Sequence, residues 1–152
     1  MLVVLVPVLS QEMSRAVAET DLTGAHCFYL GQNYVRLQET LAWAKRHGMT
    51  TPDLSRRFRE ACLRSKTPFV EMMGRLAESA NSDLWWALPF STKSPVLSPL
   101  FFHLSLLEMV RAYVDTANIS KLFLVVESGA LASVLESFFR ARQWTIHRYR
   151  GG

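Results

Sequence analysis

One short segment of the sequence combines hydroxyl groups with an ammonium group between Pro89 and Pro95. Its members are Ser91, Thr92, Lys93 and Ser94. Hydroxyls, one cation and a loop stiffened by prolines suit the recognition of a sugar hydroxyl or a phosphate. The segment is therefore a candidate substrate-binding loop. The alternative is a polar surface turn held rigid by the two prolines.

Two further segments carry polar groups directly after an apolar run. Glu127 and Ser128 follow one run, where the carboxylate could accept a hydrogen bond from a sugar or ribose hydroxyl or act as a base. Gly31-Gln-Asn33 follows another and places backbone N–H groups at a helix start, which favours an anion. The alternatives are structural, since Asn33 is also a good N-cap and Glu127 a good partner for a helix dipole.

Several familiar kinds of site have no counterpart in the sequence. It lacks both the glycine pattern of dinucleotide-binding turns and that of P-loops. The four histidines and two cysteines have no metal-ligand spacing, and no serine lies in a nucleophile elbow. No second carboxylate is spaced to pair with Glu127 in a glycosidase site. We therefore predict no cofactor and no metal site.

Basic residues are concentrated in two segments of a chain with a net charge of +4. The first group is Arg56, Arg57, Arg59 and Arg64, and the second is Arg140, Arg142, Arg148 and Arg150. Such patches favour an anionic partner, namely a phosphate, an acidic glycan or a lipid surface. Each is also what a solvated helix face looks like. The sequence argues against nucleic acid as a partner, because no aromatic residues are interleaved with the basic ones and no recognition motif occurs.

The elements that would position these groups alternate between strands and helices. Apolar runs predict strands at Leu2–Leu9, His26–Leu30, Asp83–Leu88, Lys121–Val126 and Trp144–Tyr149. Helices are expected after the second strand, ending before a Gly48 cap, and in the segments from Asp53, from Ser98 and from Gly129 onward. Pro68 is expected to open a new helix. This alternation predicts an α/β fold: a Rossmann-like, open, mostly parallel sheet of about five strands with helices on both faces. The last strand alternates apolar and polar residues, as an edge strand does.

The size of the chain, 152 residues, indicates one domain with a single core. The apolar start is too short to span a bilayer and lacks a basic leader, and the two cysteines do not form a disulfide framework. We therefore expect a cytoplasmic protein. Since the chain stops directly after a strand, it could also be the N-terminal half of a longer two-domain protein.

The stretch Leu84-Trp-Trp-Ala-Leu-Pro-Phe-Ser-Thr-Lys-Ser-Pro-Val-Leu-Ser-Pro-Leu-Phe101 resembles a segment of bacterial surface-carbohydrate biosynthesis proteins. These are glycosyltransferase-like proteins of lipopolysaccharide or capsule synthesis. Leu122–Gly129 resembles their next strand and turn, and the similarity extends over Phe28–Tyr149. The resemblance implies two Rossmann-like domains, of which this chain would be the N-terminal, acceptor-side one.

What the resemblance implies for function is specific. The domain would hold a glycan or a lipid-linked glycan acceptor, with peripheral association at the inner membrane. A nucleotide sugar would be brought as co-substrate by a second domain, so catalysis would be incomplete here. The rival hypothesis is a non-catalytic Rossmann-like binding or interaction module that offers a basic surface to an anionic partner.

Overall fold

The computed structural model of the chain describes residues 1–8, 10–80 and 99–150. The described residues form two compact units: one contains residues up to Asp53 and from Ala117 onward, and the other contains Leu54–Thr116. The expected strand Asp83–Leu88 and the loop Ser91–Ser94 lie outside the described residues. Compact packing units need not fold independently, so the expectation of one domain stays a prediction.

The elements follow one another along the chain in a simple order. They are β1 (Leu2–Pro7), α1 (Ser10–Glu19), β2 (His26–Leu30), α2 (Tyr34–Arg46), α3 (Ser55–Ala80), α4 (Pro99–Thr116), β3 (Lys121–Val126), α5 (Gly129–Ala141) and β4 (Thr145–Arg148). The strands form one parallel sheet in the order β2-β3-β1-β4. The predicted α/β class with a parallel sheet is confirmed.

The expectation of about five strands is corrected to four among the described residues. At the outer side of β2 the chain makes only a single parallel bridge, between His26 and Thr50. Proline follows at position 52 and the chain enters α3 at Ser55, so this pairing ends before it becomes a strand. At the opposite side, β4 is the edge strand, as its alternating pattern predicted.

The sheet is covered on both faces because its strands are nearly all apolar. On one face, Val4, Cys27 and Phe123 pack in one cluster with residues of α1 and α2. The alternate residues point the other way; Leu5 and Leu124 among them are buried as well. Helix α5 contacts β1, β3 and β4, and the right-handed crossover from β3 to β4 places it on this second face.

The connections create a switch point in the sheet. After β1 the chain crosses β3 to reach β2, whereas after β3 it crosses β1 to reach β4. Adjacent strands whose connections leave in opposite directions open a crevice at their carboxyl ends. Pro7 of β1 pairs with Val126 of β3 at this point. The topology therefore predicts a ligand site between the ends of β1 and β3.

Helices α2 and α5 end in the same hydrogen-bonded motif. After α5, Gln143 N bonds Arg140 O at 3.0 Å and Trp144 N bonds Phe139 O at 3.1 Å, with the Phe139 and Trp144 rings in contact. These are the bonds of a Schellman cap, which needs a residue of positive φ. Helix α2 uses Gly48 there (φ 71°), as predicted, but α5 uses Gln143 (φ 60°).

The second unit consists of α3 and α4, which pack along each other. Phe69 and Met73 of α3 are buried with Phe101 of α4, the rings of Phe69 and Phe101 meeting edge to face. The prediction that Pro68 opens a new helix was wrong, because Pro68 lies inside one continuous α3. Among the described residues, no helix is long and apolar enough to cross a membrane.

Candidate functional site

A crevice of about 190 Å³ opens at the carboxyl ends of the strands. It is lined by the end of β1 at Pro7, by Glu127–Gly129 after β3, and by Tyr149 and Arg150 after β4. The strand register explains why these segments lie together. Arg148 of β4 pairs with Leu5 of β1, so the residues after Arg148 run beside Pro7. The crevice therefore occupies the switch point that the topology creates.

The start of α5 contributes a hydrogen-bond donor to the crevice. Ser128 is the N-cap, and its side chain accepts from Leu131 N at 3.2 Å. The N–H groups of Gly129 and Ala130 lie before the first intrahelical bond and have no acceptor among the described residues. Gly129 lines the crevice, so its N–H, with the helix dipole behind it, is available to an anion there.

The carboxylate of Glu127 is turned toward the loop after β2. It accepts a hydrogen bond from the hydroxyl of Tyr29 and another from Gln32 N at 3.0 Å. Burial, the largest single influence, raises the pKa of Glu127, but these hydrogen bonds and the nearby charge of Arg36 outweigh it and lower the pKa. Burial, with the hydrogen bond to Glu127, also raises the pKa of Tyr29 to about 12.

The approach of Glu127 to the β2–α2 loop requires a glycine. A Cβ at Gly31 would lie 2.6 Å from Glu127 Cγ and closer still to its carboxyl carbon. The sequence favoured an external anion at the loop Gly31-Gln-Asn33. In the structure, this loop binds the carboxylate of Glu127. Asn33 acts as the N-cap of α2 and accepts from Arg36 N at 3.1 Å. The expected N-cap role of Asn33 is thus observed, and a ligand-binding role for it stays a prediction.

The arginines of the C-terminal group differ in their surroundings. Arg148 bonds Glu136 Oε2 at 2.6 Å and Ser133 Oγ at 3.2 Å, and Arg140 bonds the same Glu136 at 2.7 Å. The hydrogen bond from Arg148 is the main cause that lowers the pKa of Glu136. Arg150 is exposed and lines the crevice; it makes no ion pair with a described residue, although its charge contributes to lowering the pKa of Glu136. It is the cation of the crevice that a ligand could engage.

Most arginines of the basic group on α3 are paired with other residues of the same unit. Arg56 pairs with Glu60 at 3.3 Å, and Arg64 pairs with Glu108 at 3.2 Å. Arg57 bonds Thr116 Oγ1 at 3.2 Å and lies 4.9 Å from the centre of the Tyr113 ring. Of the four, Arg59 alone makes no such contact with the described residues. These contacts resemble those of a solvated helix face, and anion binding here stays a prediction.

The structure brings together some of the predicted site residues. Asn33, Glu127 and Ser128 all lie at the carboxyl edge of the sheet, whereas the arginine group on α3 belongs to the other unit. The loop Ser91–Ser94 lies outside the described residues. Sequence reasoning did not place Arg150 at this edge. The C-terminal arginine cluster was a signal, but its use required knowing that β4 lies beside β1.

Among the described residues, no group of three His, Cys, Asp or Glu side chains could hold a metal ion. Comparisons with protein-family models, with curated proteins and with solved structures found no match. Function must therefore be argued from the chemistry of the crevice and its surroundings.

Proposed function

We propose that this chain is an α/β binding module that takes a small anionic ligand in the crevice between β1 and β3. The observation that carries the proposal is that three features suited to an anion lie at the same crevice. The switch point of the sheet, the unpaired N–H of Gly129 at the start of α5 and the residue Arg150 all lie at this crevice. An anion at this point gains both charge-assisted hydrogen bonds and the helix dipole.

The size of the crevice limits the ligand. Its volume of about 190 Å³ is below the ~300–1,000 Å³ of pockets that bury drug-sized molecules. A phosphate group or a single sugar phosphate is of suitable size, whereas a dinucleotide is not. Glu127 and Ser128 line the same crevice, and their oxygens can accept hydrogen bonds from hydroxyl groups of such a ligand.

Binding is better supported than catalysis. An efficient proton-transferring group has a pKa near the working pH. The pKa of Glu127 is lowered, and the pKa of Tyr149 is raised by burial, so both move away from neutrality. Tyr149 also donates its hydroxyl hydrogen to Glu19 at 2.9 Å. The crevice therefore offers recognition groups and no poised acid–base pair among the described residues.

The test is calorimetric titration of the whole chain with inorganic phosphate and with glucose 6-phosphate. Arg150→Gln should weaken binding by about tenfold or more, since a hydrogen bond to a charged group contributes about 1.5–3 kcal/mol. Arg75→Gln removes an exposed arginine of α3 that belongs to no predicted site, and it should leave binding unchanged. Equal affinity of the Arg150→Gln variant and the unmodified chain would refute the proposal.

A second proposal is that the chain is the acceptor-side domain of a surface-polysaccharide glycosyltransferase. It rests on the resemblance carried by Leu84–Phe101, and the loop Ser91–Ser94 lies outside the described residues. A crevice of sugar size is compatible with it. Lys93→Ala should then reduce binding of a lipid-linked glycan while the circular dichroism spectrum stays the same. Unchanged glycan binding would remove the loop from the site.

A further inference from the structure

A second concavity, a groove of about 720 Å³, runs along α2. Its described lining includes Met13 of α1 and the side chains of Arg36, Glu39, Thr40 and Trp43 on α2. The α2 residues recur at intervals of three and four, so they share one face of the helix. The groove lies within the volume range of pockets for small molecules. It shares none of its described lining residues with the crevice.

One wall of the groove is apolar and aromatic. Trp43 is half-buried, and its ring lies 5.5 Å from that of Phe123 and 4.4 Å from that of His47. These neighbours fix the indole in place. Met13 and Val35 also line the groove, and Val35 is 63% exposed. Met13 is 7% exposed, so Val35 is the more accessible of the two. A rigid aromatic ring beside apolar side chains favours a flat apolar ligand.

Thr40 supplies a polar group within this wall. The residue is 3% exposed and lines the groove, yet its hydroxyl has no hydrogen-bond partner among the described residues. The buried side-chain atoms of the described residues that lack a partner are Glu12 Oε2 and Ser105 Oγ, so the Thr40 oxygen is reached by solvent at the wall of the groove. The Thr40 hydroxyl is therefore placed to bond a group that enters the groove from outside.

Charge at the groove favours an anion at one end. Arg36 donates to Val8 O at 3.0 Å through one guanidinium N–H, which fixes the side chain and leaves its other N–H groups for a ligand. Glu39, one turn further along α2, is exposed and carries an opposing charge, as does Glu127, whose carboxylate interacts with the charge of Arg36. Arg46 also lines the groove and adds a second positive charge. An anionic group is thus attracted by Arg36 and repelled by Glu39.

We propose that the groove along α2 binds a planar aromatic anion. Its ring lies against Trp43 and Met13, a polar atom of the ligand bonds the Thr40 hydroxyl, and its phosphate or carboxylate meets Arg36. The site is separate from the crevice and does not depend on the function proposed there.

The experiment is a calorimetric titration of the whole chain with two such anions, AMP and indole-3-acetate, and with neutral adenosine. Both anions should bind, and adenosine should bind more weakly than AMP. Thr40→Val keeps the shape and removes the hydroxyl, so it should weaken binding of one or both anions by about fivefold to tenfold. Thr67→Val makes the same change on the exposed surface of α3 and should have no effect. Glu39→Gln should strengthen binding of both anions by a few-fold.

Three results would overturn the inference. The first is no binding of either anion at millimolar concentration. The others are affinities of the Thr40→Val variant for both anions that equal those of the unmodified chain, or weaker binding of the anions by the Glu39→Gln variant. AMP binding that is lost in Arg150→Gln but kept in Thr40→Val would place its phosphate in the crevice. That outcome would refute the groove and leave the proposed function standing. Phosphate binding that is insensitive to Arg150→Gln, with AMP binding sensitive to Thr40→Val, would do the reverse.

Discussion

The contact between Gly31 and Glu127 predicts a strong thermodynamic coupling between these two residues. In Gly31→Ala the new methyl group would lie 2.6 Å from Glu127 Cγ, so the Glu127 side chain must leave its position. It then loses its hydrogen bonds from Tyr29 and from Gln32 N. Gly31 has no positive φ, so the backbone itself accepts alanine without strain.

The magnitude follows from the two bonds that are lost. Hydrogen bonds to a charged group contribute about 1.5–3 kcal/mol each when shielded, and less when exposed. Since Glu127 is exposed, we expect Gly31→Ala to destabilise the chain by about 2 kcal/mol in total. In a Glu127→Ala background the same substitution meets no carboxylate. It should then be neutral, or stabilising by about 0.4–1 kcal/mol, because alanine restricts the unfolded chain.

The assay is urea unfolding followed by circular dichroism for the unmodified chain, both single variants and the double variant. The cycle isolates the pairwise free energy, expected at about 2 kcal/mol. A coupling below about 0.5 kcal/mol would show that the two sites act independently. The cost of Gly31→Ala would then come from something other than Glu127, and the reasoning would be refuted.

Three other predictions follow from local geometry. Gln143→Gly should stabilise the chain by about 1 kcal/mol in urea unfolding, because glycine adopts the positive φ of this helix cap without strain; a loss of stability would contradict this. The pKa of Asp21 is lowered to about 2 by hydrogen bonds from Thr23 N and from Lys121. A depressed carboxyl pKa stabilises the fold above its unfolded value near 4, and the effect disappears as pH falls toward 2. Asp21→Asn should therefore flatten the dependence of stability on pH between 4 and 2, and an unchanged slope would argue against it. Burial raises the pKa of Cys27 to about 12. In a Cys62→Ser variant, the native chain should therefore not react with Ellman's reagent at pH 8 until urea unfolds it.

The strands were predictable because burial on both faces leaves an unambiguous pattern. Lys121–Val126 and His26–Leu30 are continuous apolar runs, and the structure has β3 and β2 at those bounds. The strand β4 alternates because one of its sides is exposed, which also identified it as an edge. Strand order was not predictable, since the pattern does not state which strands are neighbours.

Two helices show where local signals were insufficient. Helix α1 was not assigned, although Met13 and Ala16 are buried at helical spacing. At Pro68 the opposite occurred, because a strong local signal for a helix start was overridden. Ala61, Phe69 and Met73 of one continuous α3 are all buried. Tertiary burial of that face outweighs the hydrogen bond that proline removes.

The candidate site could be located in part. The rule that ligands bind at the carboxyl ends of parallel strands correctly brought Asn33, Glu127 and Ser128 to one edge. What Glu127 does there depends on Tyr29, which is 98 positions away in the sequence. That contact follows from the pairing of β2 with β3, and no motif signals it.

A neighbouring cation distinguishes the two helix starts at this edge of the sheet. Helices α2 and α5 both begin there, and each presents backbone donors with a positive dipole end. At α2 the carboxylate of Glu127 occupies the preceding loop by bonding Gln32 N. At α5 the N–H of Gly129 has no acceptor among the described residues, and Arg150 lines the same crevice and adds positive charge. An external anion therefore gains more at α5, which is why the crevice, and not the β2–α2 loop, is the site to test first.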